Sequence, residues 1–236
     1  MILDIDHIGY SSTNFEDDIC LVQSLGFNIR FVQRGIKNQD IKKKLLRSFT
    51  MEHHMALCAR SCDISIEVVH YPQVGQKRVA QTSFFPLVGN QEAQLLKQIS
   101  AQDDLKQLNI CISDIPKTLN FWKVLGFNAV EQGDDYLAFR FRSILNGNDY
   151  FLYAKLTNAA VHKVFLDDIG FTSLALITSS ASRERAALEK HNFKVTPIEH
   201  VAIGNKNLSI FFSESPDGHI VEFISLEGES FEGKLA

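Results

Sequence analysis

The order of hydrophobic and polar positions repeats three times along the 236-residue chain. Each copy begins with alternating apolar residues and continues with apolar positions at helical spacing. A helix-ending signal follows, Leu-Gly-Phe in the first two copies and His-Asn-Phe in the third, and then come three more alternating stretches. The copies start near Asp6, Leu108 and Thr172. A fixed order of this kind predicts a repeated β-α-β-β-β unit.

The residues that flank the helical patterns predict where each helix begins. In the first copy Asn14 is the expected N-cap, because three acidic residues follow it in the first turn. In the second copy Pro116 lies near the first helical position, where its missing N–H costs little. In the third copy Ser180 or Ser182 should cap a helix that runs to about His191.

These patterns divide the chain into three units and a connecting segment. The first unit covers residues 1–71, the second 105–157 and the third 168–228. Residues 72–104 are a linker or a degenerate unit, with a helix expected over Gln91–Ile99. An isolated unit leaves one sheet face exposed, so units should pair to cover it. We therefore expect an α+β fold in which repeated β-α-β-β-β units pair into cupped mixed sheets.

Composition narrows the class of protein without naming it. Hydrophobic residues make up 45% and charged residues 22% of the chain, as in ordinary globular proteins, and the 18 Phe favour a sheet-rich fold. A net charge of −4 gives no electrostatic reason to expect a nucleic-acid partner. The one basic run, Lys42-Lys43-Lys44, reads as a solvated helix face or loop.

Cysteine usage and hydropathy suggest a cytoplasmic protein. The four cysteines are too few for a disulfide scaffold, and no second cysteine pair accompanies Cys58 and Cys62 to complete a zinc site. The chain starts directly with a strand pattern, without the basic and apolar regions of a signal peptide. No stretch approaches the roughly 18 apolar residues that span a membrane.

Two motifs carry a family resemblance when they are taken with the repeat. Asp6-His7-Ile8 opens the first strand, and Ser-Pro-Asp-Gly-His-Ile-Val-Glu-Phe occupies Ser215–Phe223 near the end. With the repeated Leu-Gly-Phe, this pattern resembles the vicinal oxygen chelate superfamily, which includes glyoxalase I, extradiol dioxygenases, epimerases, fosfomycin-resistance transferases and bleomycin-binding proteins. The resemblance covers nearly all of the chain except residues 72–104. It implies a cupped sheet with a divalent metal on its concave face.

The resemblance also implies a set of ligands. Family ligands come from the start of the first strand and the middle of the last, which gives His7 and Glu67 in the first unit and Glu222 in the third. One imidazole and two carboxylates with open positions suit iron(II) or manganese(II), and zinc or nickel could be held too. The third unit has Ser173 where a dioxygenase of this family needs a second histidine, which argues against an oxygenase.

The residue pattern by itself supports this ligand set only in part. Glu222 shares a strand face with Ile220 and Ile224, where a carboxylate is costly unless it is paired or bound to metal. Strict alternation puts His7 on the face of Ile5 and Gly9, where a lone histidine is more often a satisfied core residue. Glu67 follows two polar positions on its own face, so ordinary solvent exposure would explain it equally well.

Two further histidines are candidates for proton transfer. His54 lies on the third strand of the first unit, and His200 lies on the second strand of the third unit. Extradiol dioxygenases place acid–base histidines on comparable strands, so the resemblance implies a catalytic role for both. Because His53 and His54 are adjacent on one strand, only one of them can point toward the concave face.

The pairing of the units decides where a site would form. Units two and three could share one cup, with unit one pairing with residues 72–104 or with its counterpart in a homodimer. If unit one instead pairs with unit three, His7, Glu67 and Glu222 converge.

The leading functional hypothesis is a metal-dependent lyase, isomerase or ring-cleaving dioxygenase acting on a small oxygenated metabolite. The competing hypothesis is a metal-free cup that binds an aromatic small molecule or antibiotic through Phe139, Phe141, Tyr153 and Phe211.

Overall fold

The computed structural model describes residues 1–61, 63–72, 78, 105–158, 162–203 and 206–226. The strands are β1 (Ile2–Ser11), β2 (Asn28–Lys37), β3 (Glu52–Ala59), β4 (Ser65–His70), β5 (Gln107–Ile112), β6 (Asn128–Gln132), β7 (Tyr136–Arg142), β8 (Asp149–Leu156), β9 (Gly170–Thr178), β10 (Glu199–Ile203), β11 (Lys206–Glu214) and β12 (Ile220–Leu226). The helices are α1 (Phe15–Ser24), α2 (Ile115–Val124), α3 (Ala181–Lys190) and a 3-10 helix (Asp40–Lys44). The helix expected over Gln91–Ile99 and the nature of residues 72–104 lie outside the described residues.

The three α-helices begin where the sequence predicts. The N-caps are Asn14, Asp114 and Ser180, all in extended backbone conformation. The Asp114 carboxylate accepts from the Lys117 N–H at 2.9 Å, and the Ser180 hydroxyl accepts from the Arg183 N–H at 3.3 Å. These caps satisfy backbone donors that the first helical turn leaves unpaired.

The helices also end in one shared motif, which explains the repeated tripeptide. Gly26, Gly126 and Asn192 have positive φ angles of 87°, 84° and 61°. The N–H of the Phe that follows each of them donates to the carbonyl five residues earlier, as the Phe127 N–H does to the Trp122 oxygen at 3.0 Å. This is the Schellman arrangement, and glycine or asparagine tolerates the left-handed conformation that it requires.

An eight-stranded mixed sheet joins the first unit to the third. Its strand order is β10-β11-β12-β9-β1-β4-β3-β2, and β1 and β9 meet antiparallel at its centre. The second unit forms a separate four-stranded sheet with the order β5-β8-β7-β6. The structure therefore selects the arrangement in which unit one pairs with unit three. The predicted α+β fold class with paired, cupped mixed sheets is confirmed.

Two apolar clusters lie on opposite sides of the eight-stranded sheet. The larger one combines residues of both sheets and all three α-helices. The smaller one covers the opposite face, where Ile41, Leu45 and Leu46, from and just after the 3-10 helix, pack on sheet residues such as Ile210 and Phe212. The segment between β2 and β3 is thus a cover for this second face.

A β-bulge in β1 determines which of its side chains reach that covered face. Ile5 pairs with Leu176 and His7 pairs with Ala175, so Asp6 is an extra residue. Ile5 and Ile8 both belong to the larger core, three positions apart instead of two. The expectation that His7 shares a face with Ile5 was therefore wrong, because the bulge breaks the alternation between them.

The Pro-Asp-Gly turn attaches the second unit to the third. The buried Asp217 carboxylate accepts from the Ser113 N–H at 2.7 Å, the Ser113 hydroxyl at 2.8 Å and the Thr118 hydroxyl at 2.7 Å. Three donors to one carboxylate make a strong charge-assisted contact between units. Within the described ranges, no helix has the length and apolar character that crossing a membrane demands.

Candidate metal centre

His7, Glu67 and Glu222 converge on the covered face of the eight-stranded sheet. Strand register places them there, because Gly9 pairs with Glu67 across β1 and β4, while Ala175 pairs with both His7 and Glu222. The His7 Nε2 lies 3.4 Å from the Glu67 Oε2 and 3.8 Å from the Glu222 Oε2. All three potential ligand atoms lie within 4.8 Å of one another.

The bulge gives His7 a partner for its other ring nitrogen. Asp6 accepts from the His7 Nδ1 at 2.8 Å, and a carboxylate that binds this nitrogen orients the ring of a metal-binding histidine. With a proton on Nδ1, neutral His7 presents the Nε2 lone pair to the two carboxylates. Asp6 was not predicted as a partner of His7, because strict alternation would point it to the opposite face of the strand.

The pKa values of His7, Glu67 and Glu222 are all shifted, because these groups are buried close together. Burial alone would lower the pKa of His7, but the carboxylates of Glu67 and Asp6 outweigh it and hold that pKa well above its usual range. Burial opposes ionisation of Glu67, yet the neighbouring His7 charge lowers its pKa. Burial, followed by the Glu67 charge, raises the pKa of Glu222 to about 7. A divalent cation would relieve the repulsion between the two carboxylates.

The donor set fits a divalent metal. The His7 Nε2 is buried and makes no hydrogen bond of good geometry, since its neighbours, the Glu67 and Glu222 carboxylates, lie at the longer ion-pair distances of 3.4 and 3.8 Å. One imidazole nitrogen and two carboxylate oxygens form a ligand set that iron(II), manganese(II), zinc and nickel accept. Among the described residues this is the one group of three or more potential ligands in which all donor atoms lie this close together.

Ser173 occupies the position in unit three that His7 occupies in unit one. By register Ala175 corresponds to Gly9, because each lies opposite the glutamate of its own unit, and Ser173 therefore corresponds to His7. The Ser173 hydroxyl lies over Gly9, so closely that a side-chain carbon at position 9 would overlap it. The pseudo-twofold site thus offers two carboxylates but one imidazole.

Comparison with solved structures shows which known fold the chain has. A single-substitution mutant of glyoxalase I from Zea mays superposes with a TM-score of 0.62 over 98% of this chain and 95% of that chain, at 12% identity. Unsubstituted glyoxalase I from Zea mays gives a TM-score of 0.59, with 98% and 94% covered, at 13% identity. The chain has the glyoxalase I fold. The predicted vicinal oxygen chelate resemblance is confirmed at the level of the fold.

Sequence comparisons do not extend that result. No protein-family model matches the chain, and no curated protein matches it. At 12–13% identity the likeness to glyoxalase I shows the fold alone.

The structure moves both predicted acid–base histidines away from the metal centre. The His54 ring contacts Phe15 of α1 and stacks on His70, and its Nδ1 accepts from the Gly35 N–H at 3.1 Å. His200 pairs with Ser209 across β10 and β11, whereas the Glu222 side of those strands carries Val201, Leu208 and Ile210. The prediction that both rings could face the concave side of the sheet was wrong, because neither His54 nor His200 lines the cavity.

His53, and not the predicted His54, faces the cavity that holds the two glutamates. Leu57 pairs with Glu67, so the odd-numbered residues of β3 share the glutamate's face. The His53 ring lines the site cavity and stacks on Tyr71 with centroids 5.6 Å apart. Burial, with smaller effects from nearby positive charge, lowers the pKa of His53 to about 2. His53 is therefore a neutral ring at ordinary pH.

The cluster of His7, Glu67 and Glu222 opens into a cavity of about 250 Å³ within this glyoxalase fold. Its apolar wall combines both halves of the sheet, with Ile36 and Met55 on one side and Leu208, Ile210 and Ile224 on the other. Lys42 of the 3-10 helix also lines it, half-buried, although its sequence context indicated a solvated residue. The apolar residues Ile41, Leu45 and Leu46 around the basic run were the available signal that this segment covers something.

The aromatic cup proposed as an alternative site does not form. Phe139, Phe141 and Phe211 are buried in the larger core, and none of them lines the metal-site cavity. Tyr153 lies partly exposed on the separate sheet of the second unit. The residues assigned to a metal-free binding protein are thus divided between core and surface.

Proposed function

We propose that the chain is a metal-dependent enzyme, an isomerase or lyase, that acts on a small oxygenated metabolite. The observation that carries this proposal is the His7 Nε2, which is buried without a hydrogen bond and lies 3.4 and 3.8 Å from two clustered carboxylates. Iron(II) or manganese(II) is the favoured metal, and zinc or nickel also suits the ligands. A bound cation would act as a Lewis acid toward two neighbouring oxygens of the substrate.

The chain's own residues account for proton transfer. Apart from His7, whose ring nitrogen is assigned to the metal, the groups on the cavity wall that can exchange protons are Glu67, Glu222, His53 and two lysines. The lysines are cations, and His53, with a pKa near 2, is too weak a base. The proton acceptor is therefore a carboxylate oxygen of Glu67 or Glu222, both of which lie on the wall of the same cavity.

The composition of the site favours isomerase or lyase chemistry over ring cleavage. Ser173 stands where the extradiol pattern needs a second histidine ligand, and His54 and His200 lie away from the cavity. Proton transfer beside a polarised carbonyl needs only the carboxylates and the apolar wall. That wall limits water around the reacting atoms and strengthens the local electrostatics.

Metal content tests the first part of the proposal. Protein purified without a chelating tag should contain a stoichiometric divalent ion, lost in His7→Ala and retained in the control His54→Ala. Metal at about 1,000 times its Kd should stabilise the fold by about 4 kcal/mol. That corresponds to a melting temperature higher by about 8–16 °C for a chain of this length. A melting temperature that no divalent ion changes, in wild type and His7→Ala alike, would refute metal dependence.

Proton exchange tests the second part. The metal-loaded enzyme should exchange the C–H next to the carbonyl of small 2-hydroxy ketones, 2-oxo aldehydes or 2-oxo acids with deuterium from D₂O, as NMR would show. Glu67→Gln and Glu222→Gln should each weaken this exchange, while His54→Ala should not. Metal-loaded protein without exchange on any member of such a panel would argue against this chemistry.

A further inference from the structure

The charges on the cavity wall do not balance once a divalent metal is counted. The charged wall residues are Glu67, Glu222, Lys37 and Lys42. The two carboxylates would be neutralised by a divalent cation, which leaves the positive charge of the lysines facing the cavity. A positively charged cavity with an apolar wall favours an anionic ligand.

Of these two lysines, Lys42 is half-buried and Lys37 is exposed. No ion pair within the described residues accounts for the burial of Lys42. The next residue, Lys43, pairs with Asp40 at 3.0 Å, whereas no acid within the described parts of the chain lies within ion-pair distance of Lys42. Its charge contributes to lowering the pKa of Glu67 and opposes the rise in that of Glu222, although burial is the largest influence on both. The Lys42 ammonium therefore lies close to the metal centre without being paired to it.

The segment that carries Lys42 is held firmly in place. Asp168 accepts from the Arg47 guanidinium at 2.5 and 3.1 Å, and Asp167 accepts from the N–H groups of Arg47 and Ser48. The Leu166 N–H donates to the Leu45 carbonyl at 2.8 Å. Because this segment is already ordered, little entropy is lost when a ligand meets Lys42.

The size of the cavity limits the ligand. At about 250 Å³ it lies below the range of roughly 300–1,000 Å³ that is common for pockets of drug-sized ligands. Because Lys42 lines the same small cavity as His7, Glu67 and Glu222, one short molecule can contact both the cluster and Lys42.

We propose that Lys42 is a specificity-determining residue that binds a carboxylate of the substrate, which is a small organic acid carrying two neighbouring oxygens at its other end. This inference rests on the proposed function, since the metal centre must hold those oxygens. The apolar wall accommodates the short carbon chain between the two ends.

The test uses two probes that differ in one terminal group. 2-Oxoglutarate and 2-oxopentanoate share a 2-oxo acid end, and the second carboxylate of the first is a methyl group in the other. Calorimetric titration of the manganese-loaded full chain should show that 2-oxoglutarate binds about tenfold tighter or more, as one charge-assisted contact provides. Lys42→Met retains the apolar stem and should abolish this preference, whereas Lys43→Met should keep it.

The manganese affinity of each variant, measured first, separates the two ways of failing. Protein that binds manganese but shows equal affinity for the probes, or a Lys42→Met variant that keeps the preference, overturns the role of Lys42 and leaves the metal proposal standing. A Lys42→Met variant that changes manganese affinity alone also overturns it, because Lys42 would then only balance the charge of the glutamates. Wild-type protein that binds no manganese or other divalent ion refutes both proposals.

Discussion

Gly9 and Ser173 face each other at the centre of the eight-stranded sheet, and their contact makes a sharp prediction. They pair across β1 and β9, two residues along β1 from His7. A methyl group at position 9 would overlap the Ser173 hydroxyl, but it would lie 3.6 Å from the Ser173 Cβ, which is ordinary contact. Gly9→Ala should therefore depend on which residue occupies position 173.

Gly9→Ala should change the free energy of unfolding in opposite directions in the protein with Ser173 and in the Ser173→Ala variant. With Ser173 present, Gly9→Ala should destabilise the fold by about 1–3 kcal/mol, the usual cost of overpacking a buried site. With Ser173→Ala, the overlap disappears, and the loss of glycine freedom in the unfolded chain should stabilise the fold by about 0.4–1 kcal/mol. The coupling energy is then at least about 1.4 kcal/mol.

Guanidinium chloride unfolding of the wild type, the two single variants and the double variant measures this coupling directly. The comparison requires equal denaturant slopes, because a changed slope would indicate a changed unfolded state. Two effects that add to within about 0.5 kcal/mol would show that the residues do not interfere, and would refute the geometry proposed for the centre of the sheet.

Three further outcomes follow from other contacts. Asp6→Asn should weaken manganese binding about 10–100-fold by calorimetry, because Asp6 orients His7, and unchanged affinity would contradict that role. Asp217→Ala should lower the free energy of unfolding by about 2–4 kcal/mol, because it leaves buried donors of the second unit unpaired, and a loss below about 0.5 kcal/mol would count against this anchor. His53 has a folded pKa below its unfolded value, so its contribution is complete above pH 6.5 and is lost as the pH falls. Between pH 7 and 5, wild type should lose about 2 kcal/mol more stability than His53→Phe, and parallel pH profiles would contradict this.

Local signals in the sequence were sufficient for the repeated unit. The helix caps, the Schellman ends and the alternation of β12 are encoded within a few neighbouring residues, and the structure has them where they were predicted. Glu222 could be selected because its own strand face is apolar. His7 and Glu67 needed the family resemblance, since neither residue stands out from its immediate neighbours. Their role as metal ligands stays a prediction.

The composition of the site was decided by strand register. The choice between His53 and His54 depends on Leu57 lying opposite Glu67, and a shift of one residue would reverse it. Asp6 reaches His7 only because a bulge forms against Ala175 in a distant strand. No short stretch of sequence specifies either feature.

The sequence by itself determined three copies of one unit and the residue types that each can contribute. Tertiary structure decided that unit one meets unit three, that the 3-10 helix covers their shared face, and that Lys42 lines the same cavity as His7, Glu67 and Glu222. The physical reason is how far apart along the chain the contacting residues lie. Caps and turns are stabilised by contacts within a few residues, whereas this cavity depends on pairing between β1 and β9, strands far apart along the chain.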